Sequence, residues 1–600
     1  MKKTRRLSKS VSFPAPIGGW VRNQNIGAPD RTQPQGAYLL QNIFPTATGA
    51  ELRGGSDVYA TLGTGTTDVT AFLRYKNGSA EKLFATTATA IYDITLVSSP
   101  TVSPNAVISG LTSGDWSSTQ FETTGGIFLV GVNGSDDMRL YDGQWWYPLG
   151  DDDLYALNYD GGTVNFVQGG TLSASGGGAA TIVGVQPSTT TAGTLIISSI
   201  TGTIADNAAL TGSLGGSALA NGVPVKIFNA IAGISTNKLS YIWAYQNRLF
   251  AVEKGTLNFY YASVDQIGGT LAKFPMAGIF SLGGSILFGA AWSLDRGAGG
   301  GLSNQCIIVS TEGEVAVFQG ADPASADNWS LVGVYRIGIP LGPNAWFRAG
   351  SDVVILTSIG MIPLSQAINR DVAALSPAAV SYPIETEWND AVSQSLGLEW
   401  NVIIWPERQM VLTALPTPSG QNPRMYAANA RTGRWCEFTD WNGKCLAVFQ
   451  GRLFFGSENG KVVEAYVSGL DQGAPYCGVY VPLFDTLRTP DRIKTPKMVR
   501  AVTRSNELAA VQISMQYEYR LSLPPAPSAL PIEVGSTWGT AVWGLSTWGG
   551  SAEKKVQEDW QSADGHGYAL AAAVQIASGS VAILATEIVR IDMTYETGDL

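Results

Sequence analysis

Asp151-Asp152-Asp153 is the densest run of potential cation ligands in the chain. Its spacing argues against a metal. Neighbouring residues on a strand point to opposite faces, and no EF-hand pattern follows. The run reads as a solvated turn. The chain has a single histidine, His566, within the turn-like text Asp564-Gly565-His566-Gly567-Tyr568. That nearly excludes histidine metal sites and argues against a Ser-His-Asp triad. Cys306, Cys436, Cys445 and Cys477 form no CxxC pair. Cys436 and Cys445 could approach across a hairpin, but the pattern predicts neither zinc nor a disulfide framework. There is no Walker loop, no dinucleotide GxGxxG, no HExxH and no GxSxG. Glycoside hydrolysis asks only for two carboxylates at a set separation, and 48 acidic residues offer too many pairs to single one out. Tryptophans could stack on sugars, although blade-core or interface packing is the simpler role. The expectation is no enzyme, no cofactor and no metal.

The elements that would position any site are hairpins. Gln246-Asn247-Arg248-Leu249-Phe250 returns almost unchanged as Gln450-Gly451-Arg452-Leu453-Phe454. Each copy turns tightly into an apolar strand, and a second turn follows at Lys254-Gly255 or Asn459-Gly460. Asn77-Gly78 between alternating apolar residues is a further hairpin signal. Repeated hairpins through a long chain predict an all-β fold with a β-propeller core of about five to seven blades. Ser551–Trp560 is the best short helical candidate.

Composition agrees with many short strands. Charged residues are 14% of the chain, against roughly 25% in typical domains. Glycine is 70 of 600 residues. The net charge of −10 argues against a general nucleic-acid binder, which needs Lys and Arg for phosphate. It remains compatible with a conduit whose acidic wall repels DNA. No run approaches the ~18 apolar residues of a membrane span, and the basic start lacks a signal-peptide core. A soluble chain, or one joining a soluble assembly, is expected.

The division expected along the chain is as follows. Residues 1–13 form a basic arm carrying Lys2, Lys3, Arg5, Arg6 and Lys9, either a solvated tail or a docking element for an acidic partner or DNA. Residues 14–56 are an extended segment packed on the body. Residues 57–150 and 236–470 are the two parts of the propeller. Residues 151–235, rich in Gly, Thr and Ser, are an inserted small β-domain. Residues 471–600 are a C-terminal β region with tryptophan-rich loops, where Trp538, Trp543 and Trp548 are candidate interface aromatics. Their spacing is neither a helix nor a strand period.

Several segments resemble one family. Pro16-Ile17-Gly18-Gly19-Trp20, Leu40-Gln41-Asn42-Ile43-Phe44-Pro45 and Leu52-Arg53-Gly54-Gly55 are similar to the opening of the tail nozzle (hub, or tail tubular) proteins of short-tailed bacteriophages. Val21 and Ile43 depart from the family's usual Asn and Trp. The stretch Arg431-Thr432-Gly433-Arg434-Trp435-Cys436-Glu437-Phe438, continuing through Trp441 to Gly456, resembles the family's commonest blade. Trp538, Trp543 and Trp548 resemble its tryptophan repeat, with Gly539 and Gly544 where aspartates are usual. Trp560-Gln561, Gly565-His566-Gly567-Tyr568 and Thr594-Tyr595-Glu596 also fit. The resemblance implies a structural virion protein that forms a six-fold ring with copies of itself below the portal and adaptor proteins. Tail fibre or spike proteins would attach to it. Phage DNA would pass through its lumen without sequence-specific binding, towards the host envelope. Any gate would be built by loops meeting at the ring axis. The competing reading is a receptor- or glycan-binding propeller of a phage tail.

Overall fold

The computed structural model describes residues 8–22, 36–186, 189–295, 302–418, 420–530, 554–579 and 582–598, with side chains of 294–303 left aside. The fold is all-β, and its centre is a β-propeller. Six blades have four antiparallel strands and a seventh has three. In ring order, blade 1 spans 71–109, blade 2 spans 117–149, blade 3 spans 239–275 and blade 4 spans 286–336. Blade 5 is the three-stranded sheet of Trp346–Ala349, Asp352–Thr357 and Gly360–Pro363. Blade 6 spans 401–439. Blade 7 joins Cys445–Phe449, Arg452–Gly456 and Lys461–Ser468 to a strand from far upstream, Gly55–Thr61. That upstream strand closes the circle. It buries Ala60 among Phe449, Phe454 and Val462, so ring closure depends on the N-terminal chain.

The repeated pentapeptides make the same turn twice. Gln246 and Asn247 have φ of 46° and 54°, and Gln450 and Gly451 have φ of 50° and 76°. Two consecutive positive φ values give the type I′ turn that matches strand twist. Each turn joins the first and second strands of its blade, blade 3 or blade 7. The repeated order of Arg, Leu and Phe then has a physical basis. Leu249, Phe250, Leu453 and Phe454 are buried between blades. The arginines lie at the rim, where Arg452 forks onto Glu464 and Arg248 pairs with Asp322 at 3.2 Å.

Between blades 2 and 3 lies a small closed barrel. Leu154–Val164 pairs with Gly193–Thr201 on one side and Ser217–Ala220 on the other. Ala179–Gln186, Thr171–Ala174 and Ala209–Gly212 complete the circuit. Alternating Leu157, Tyr159, Leu172, Leu195, Ile197 and Leu210 fill its interior. Phe228 fixes the barrel to blade 2 through edge contacts with Phe128 and Tyr147 at 6.1 and 5.1 Å.

The outer strand of blade 6 does not end its sheet. Ala37–Gln41 pairs parallel to it, followed by Cys477–Pro482, Leu570–Ala577 and Val511–Tyr517, giving one eight-stranded sheet. A second sheet holds Ile43–Pro45, Ala50–Leu52, Thr586–Thr597 and Lys494–Ser505. Ile43, Leu52, Val574, Ile576, Ile591 and Met593 lie in the core that both sheets share. The C-terminal region is therefore a sandwich built with the N-terminal segment and continuous with the propeller.

Three expectations need correction. Of the arm assigned to residues 1–13, residues 1–7 lie outside the described residues, and the remainder gives way to a strand at Lys9–Pro14, which pairs antiparallel with Thr586–Thr597. Val11 and Phe13 alternate with polar neighbours, and Phe13 is buried. The helix expected over 551–560 is a strand where described, at Lys555–Gln557, because it adds to the edge of Lys494–Ser505. Helix appears instead where none was expected. Leu364–Ala367, three 3₁₀ turns and Glu385–Gln394 occupy the place of a fourth strand in blade 5. Cys436 and Cys445 lie in different blades, and all four cysteines are free thiols.

Candidate functional site

The residues singled out by sequence do not converge. Lys9 is on the edge strand just described, while Lys2, Lys3, Arg5, Arg6, Trp538, Trp543 and Trp548 lie outside the described residues. Asp151, Asp152 and Asp153 divide their partners: Asp152 accepts from Ser199, Asp153 pairs with Lys226 at 2.7 Å, and Asp151 is exposed. His566 is an exposed loop residue. No group of three His, Cys, Asp or Glu side chains suited to a metal occurs among the described residues.

The concave feature that the fold itself creates is the propeller axis. A cavity of about 240 Å³ is lined from six of the seven blades, by Thr70, Trp116, Ser117, Ser118, Tyr241, Asn344, Trp346, Asn401 and Cys445 among others. These residues begin, or immediately precede, the innermost strands, whose parallel arrangement brings their starts to one end. A wider hollow of about 580 Å³ continues along the same strands past Phe72 and Leu446. There Arg74 and Lys76 both hold Glu81 at 2.9 Å. The Lys76 and Arg74 hydrogen bonds keep the Glu81 carboxyl below the usual glutamate range.

Aromatic side chains narrow the axis. The Trp346 indole, from blade 5, donates to the Tyr241 hydroxyl of blade 3 at 3.1 Å, reaching past blade 4. Phe288 of blade 4 stacks on Trp346 with centroids 5.6 Å apart. Burial pushes the Tyr241 phenol up to about 12, so it stays protonated. Trp116 is buried in the core between blades 1 and 2, and its Nε1 has no protein partner. Two carboxylates stand beside these residues: Asp115 precedes Trp116, and Glu399 lies two residues before Asn401. Blades 2 and 6 are on opposite sides of the ring, yet Asp115 raises the Glu399 pKa, second only to burial.

A second polar seam joins the N-terminal segment to blade 6. Arg53 is fully buried and makes all five of its hydrogen bonds: to Asn42 Oδ1 (2.8 Å), the Gly54 and Thr439 carbonyls (3.0 Å each), and both Asp471 oxygens (3.0 and 2.6 Å). Its guanidinium lies 4.6 Å from the Trp441 ring and 4.1 Å from that of Tyr476. Nearby, Gln41 donates to Glu437 at 2.8 Å, and Arg424 stands 3.6 Å from the same carboxyl. Burial is the largest influence on Glu437 and raises its pKa despite both partners. A carboxyl raised in the folded state binds more protons there than in the unfolded chain. Stability from this group thus falls as pH rises through the range just above an ordinary glutamate. The Glu437→Gln variant is expected to melt at a higher temperature than the parent at neutral pH, with the difference shrinking towards pH 4. Thermal melts across pH 4–8 measure this.

Sequence reading missed the axial residues because Trp116, Tyr241 and Trp346 carry ordinary strand text; only the ring brings them together. Arg53 did carry a signal, as an arginine placed between a buried leucine and two glycines. A Cβ on Gly54 would lie 2.8 Å from the Tyr466 ring, and one on Gly55 only 2.2 Å from the Leu470 carbonyl.

No family model matches the chain, and no curated protein matches it. Solved β-propellers and propeller-like structures do. The computationally designed protein Ika8 is 11% identical over 68% of this chain and 100% of its own, with a TM-score of 0.32. The Cps50 (Swd1) β-propeller domain of Myceliophteria thermophila is 10% identical over 69% of this chain and 100% of its own, with a TM-score of 0.24. Sqt1 of Chaetomium thermophilum, solved with the N-terminus of a ribosomal protein, is 11% identical over 68% of this chain and 99% of its own, at a TM-score of 0.27.

Proposed function

We propose that this chain is a structural ring subunit of a short-tailed phage, forming the distal nozzle through which DNA is retained and then ejected. The observation that carries the reading is a convergence. The family-like segments around Trp20, Asn42 and Arg53, the blade text from Arg431 to Gly456, and Thr594-Tyr595-Glu596 are far apart in sequence. In the fold they meet in adjoining sheets around one core. Trp20 donates its amide to the Trp435 carbonyl at 2.7 Å, and Asn42 bonds Thr439 and Cys477. Their packing into one unit supports the reading.

The conduit lies between subunits in this reading. The propeller's own axis holds cavities of about 240 and 580 Å³ interrupted by aromatics, whereas duplex DNA has a major groove alone about 12 Å wide. Six copies around a common axis supply the wider opening, and closed rotational symmetry suits it. A net charge of −10 favours passage without adhesion. Portal and adaptor proteins sit above the ring, with Lys2, Lys3, Arg5 and Arg6 as a docking arm; fibre or spike proteins attach at its periphery. The competing glycan-binding reading placed tryptophans on the surface. Among the described tryptophans, Trp560 is the one that is strongly exposed, and it lies over Arg500 at 4.8 Å.

Electron microscopy of the purified full chain, alone and mixed with a portal–adaptor assembly, tests the proposal. Six-fold rings with an open centre are expected. A chain that stays monomeric in both preparations overturns it.

A further inference from the structure

We propose that the cavity at the rim of blade 6, between Arg424 and Glu437, is a binding site for a free basic α-amino acid. The inference goes beyond ring assembly, since every residue involved belongs to a single chain.

The strands place the charges. Arg424–Asn429 and Trp435–Thr439 pair antiparallel, with Arg424 opposite Thr439 and Tyr426 opposite Glu437. Arg424 and Glu437 are therefore diagonal neighbours on one face of the sheet. Ala37–Gln41 meets the outer strand through the single pair Gln41 and Glu437. A cavity of about 460 Å³ opens beside that junction, lined by Gln41, Gln421, Asn422, Arg424, Glu437 and Asp440 among others. Glu437 is only 6% exposed. Gln41 donates to its Oε2 at 2.8 Å, whereas Oε1 accepts no hydrogen bond among the described residues and has Arg424 Nη1 3.6 Å away. Oε1 is not one of the polar atoms shut away without a partner, so it opens onto the cavity. Arg424 makes one side-chain hydrogen bond among the described residues, to Gln394 at 3.2 Å, and stays partly exposed. Asp440 is exposed and lines the same cavity, and the Thr439 hydroxyl donates to its Oδ2 at 3.0 Å.

The charges that line the cavity select the ligand: two carboxylates, Glu437 and Asp440, and one guanidinium, Arg424. An anion, phosphate included, would meet both carboxylates. A bare ammonium or metal ion would meet the guanidinium. A neutral sugar could hydrogen-bond to either sign but would leave the excess negative charge uncompensated. A basic amino acid carries the complementary set. Its carboxylate pairs with the Arg424 guanidinium, its α-ammonium donates to Glu437 Oε1, and its side-chain cation reaches Asp440. Arg424 Nη1 and Glu437 Oε1 are close enough for a carboxylate and an ammonium borne on one carbon to engage both at once. Burial already raises the Glu437 pKa despite Gln41 and Arg424, so its carboxylate gains from a further cationic donor. The volume falls within the ~300–1,000 Å³ of ordinary small-molecule sites.

The test is titration calorimetry and saturation-transfer NMR on the full chain with L-arginine and L-lysine, and with agmatine, glycine, L-glutamate and D-glucose for comparison. One saturable site per chain is expected for at least one of the two basic amino acids. Agmatine lacks the carboxylate, glycine lacks the side-chain cation, L-glutamate reverses it and D-glucose carries no charge, so all four are expected to bind more weakly. Glu437→Gln keeps the side-chain shape and removes the charge, and Asp440→Asn does the same at an exposed position. Each is expected to weaken the tighter-binding basic amino acid about tenfold, the effect of losing roughly one charged hydrogen bond. Melting temperatures at or above the parent's for Glu437→Gln, and close to it for Asp440→Asn, show that both variants fold. Saturable binding of neither basic amino acid, any comparison compound binding as tightly as they do, or parental affinity in either folded variant overturns the proposal.

Discussion

Arg53→Ala is expected to lower the stability of the propeller–sandwich unit by about 3–5 kcal/mol, the loss seen when one member of a buried ion pair is removed. Arg53 has no solvent exposure and Asp471 very little, so neither charge can fall back on water. Asp471 would keep its bonds from Ser56 at 3.1 Å and the Trp441 indole at 2.9 Å, but these do not neutralise it. Arg53→Lys is expected to recover little. A lysine is a point charge with three donors, whereas this site is shaped for a planar fork. Asp471→Asn should fall close to Arg53→Ala. The double variant should be much less harmful than the sum, because each change removes the other's partner. Urea unfolding followed by tryptophan fluorescence measures all four; purely additive losses would refute the coupling.

The damage also has an expected location. Arg53 lies two residues before Gly55–Thr61, the strand that closes blade 7, and its Asp471 partner follows Lys461–Ser468, the strand it closes against. The Thr439 carbonyl brings in the end of blade 6. One guanidinium therefore ties together ring closure, the eight-stranded sheet and the sandwich. Hydrogen exchange in the Arg53→Ala variant is expected to rise first in residues 55–61 and 461–468. Blades 2 and 3, held by separate aromatic clusters, should remain protected.

What the sequence made legible was local. Type I′ turns at Gln246-Asn247 and Gln450-Gly451 could be recognised because few residues tolerate two positive φ values and the next strand is apolar. The inserted β-domain at 151–235 was legible as short β-branched runs between glycines; that its strands close into a barrel around Leu157 and Leu195 was not. Ring closure by Gly55–Thr61 was not legible. Nothing in a strand's own text names a partner four hundred residues away, and its register with Lys461–Ser468 is interrupted by irregularities. The strand at Lys9–Pro14 was hidden by the basic residues just before it in sequence, Lys2, Lys3, Arg5 and Arg6, which made the whole start read as an arm. The axial cavity was the least visible, because its residues come one to three at a time from six different blades. Its chemistry exists only after closure.

The helix Glu385–Gln394 shows the same limit and supplies the second large effect. It buries only Trp388 and Ala391, too thin a stripe to announce a helix by periodicity. Trp388 nevertheless has no exposed surface. It packs against Trp400 at 5.1 Å, Trp435 at 6.3 Å and Tyr426 at 6.4 Å, and its indole donates to the Thr357 carbonyl at 2.9 Å. The helix thus stands in for the missing strand of blade 5 and plugs the gap to blade 6. Trp388→Ala is expected to cost about 3–5 kcal/mol, through lost burial and the cavity left behind. Trp388→Phe should lose less, keeping ring contacts but leaving the Thr357 carbonyl without its donor. The effect should also reach the N-terminal segment. Glu387, next in the helix, holds Arg22 at 2.7 Å, and Tyr426 donates to the Glu387 carbonyl at 3.1 Å. Displacing the helix removes both ties. Urea unfolding and hydrogen exchange together check this: Trp388→Ala should lower the unfolding midpoint and deprotect residues 385–394 and 37–41 in concert. A midpoint equal to the parent's would show that the helix is dispensable and that blade 5 stands on three strands alone.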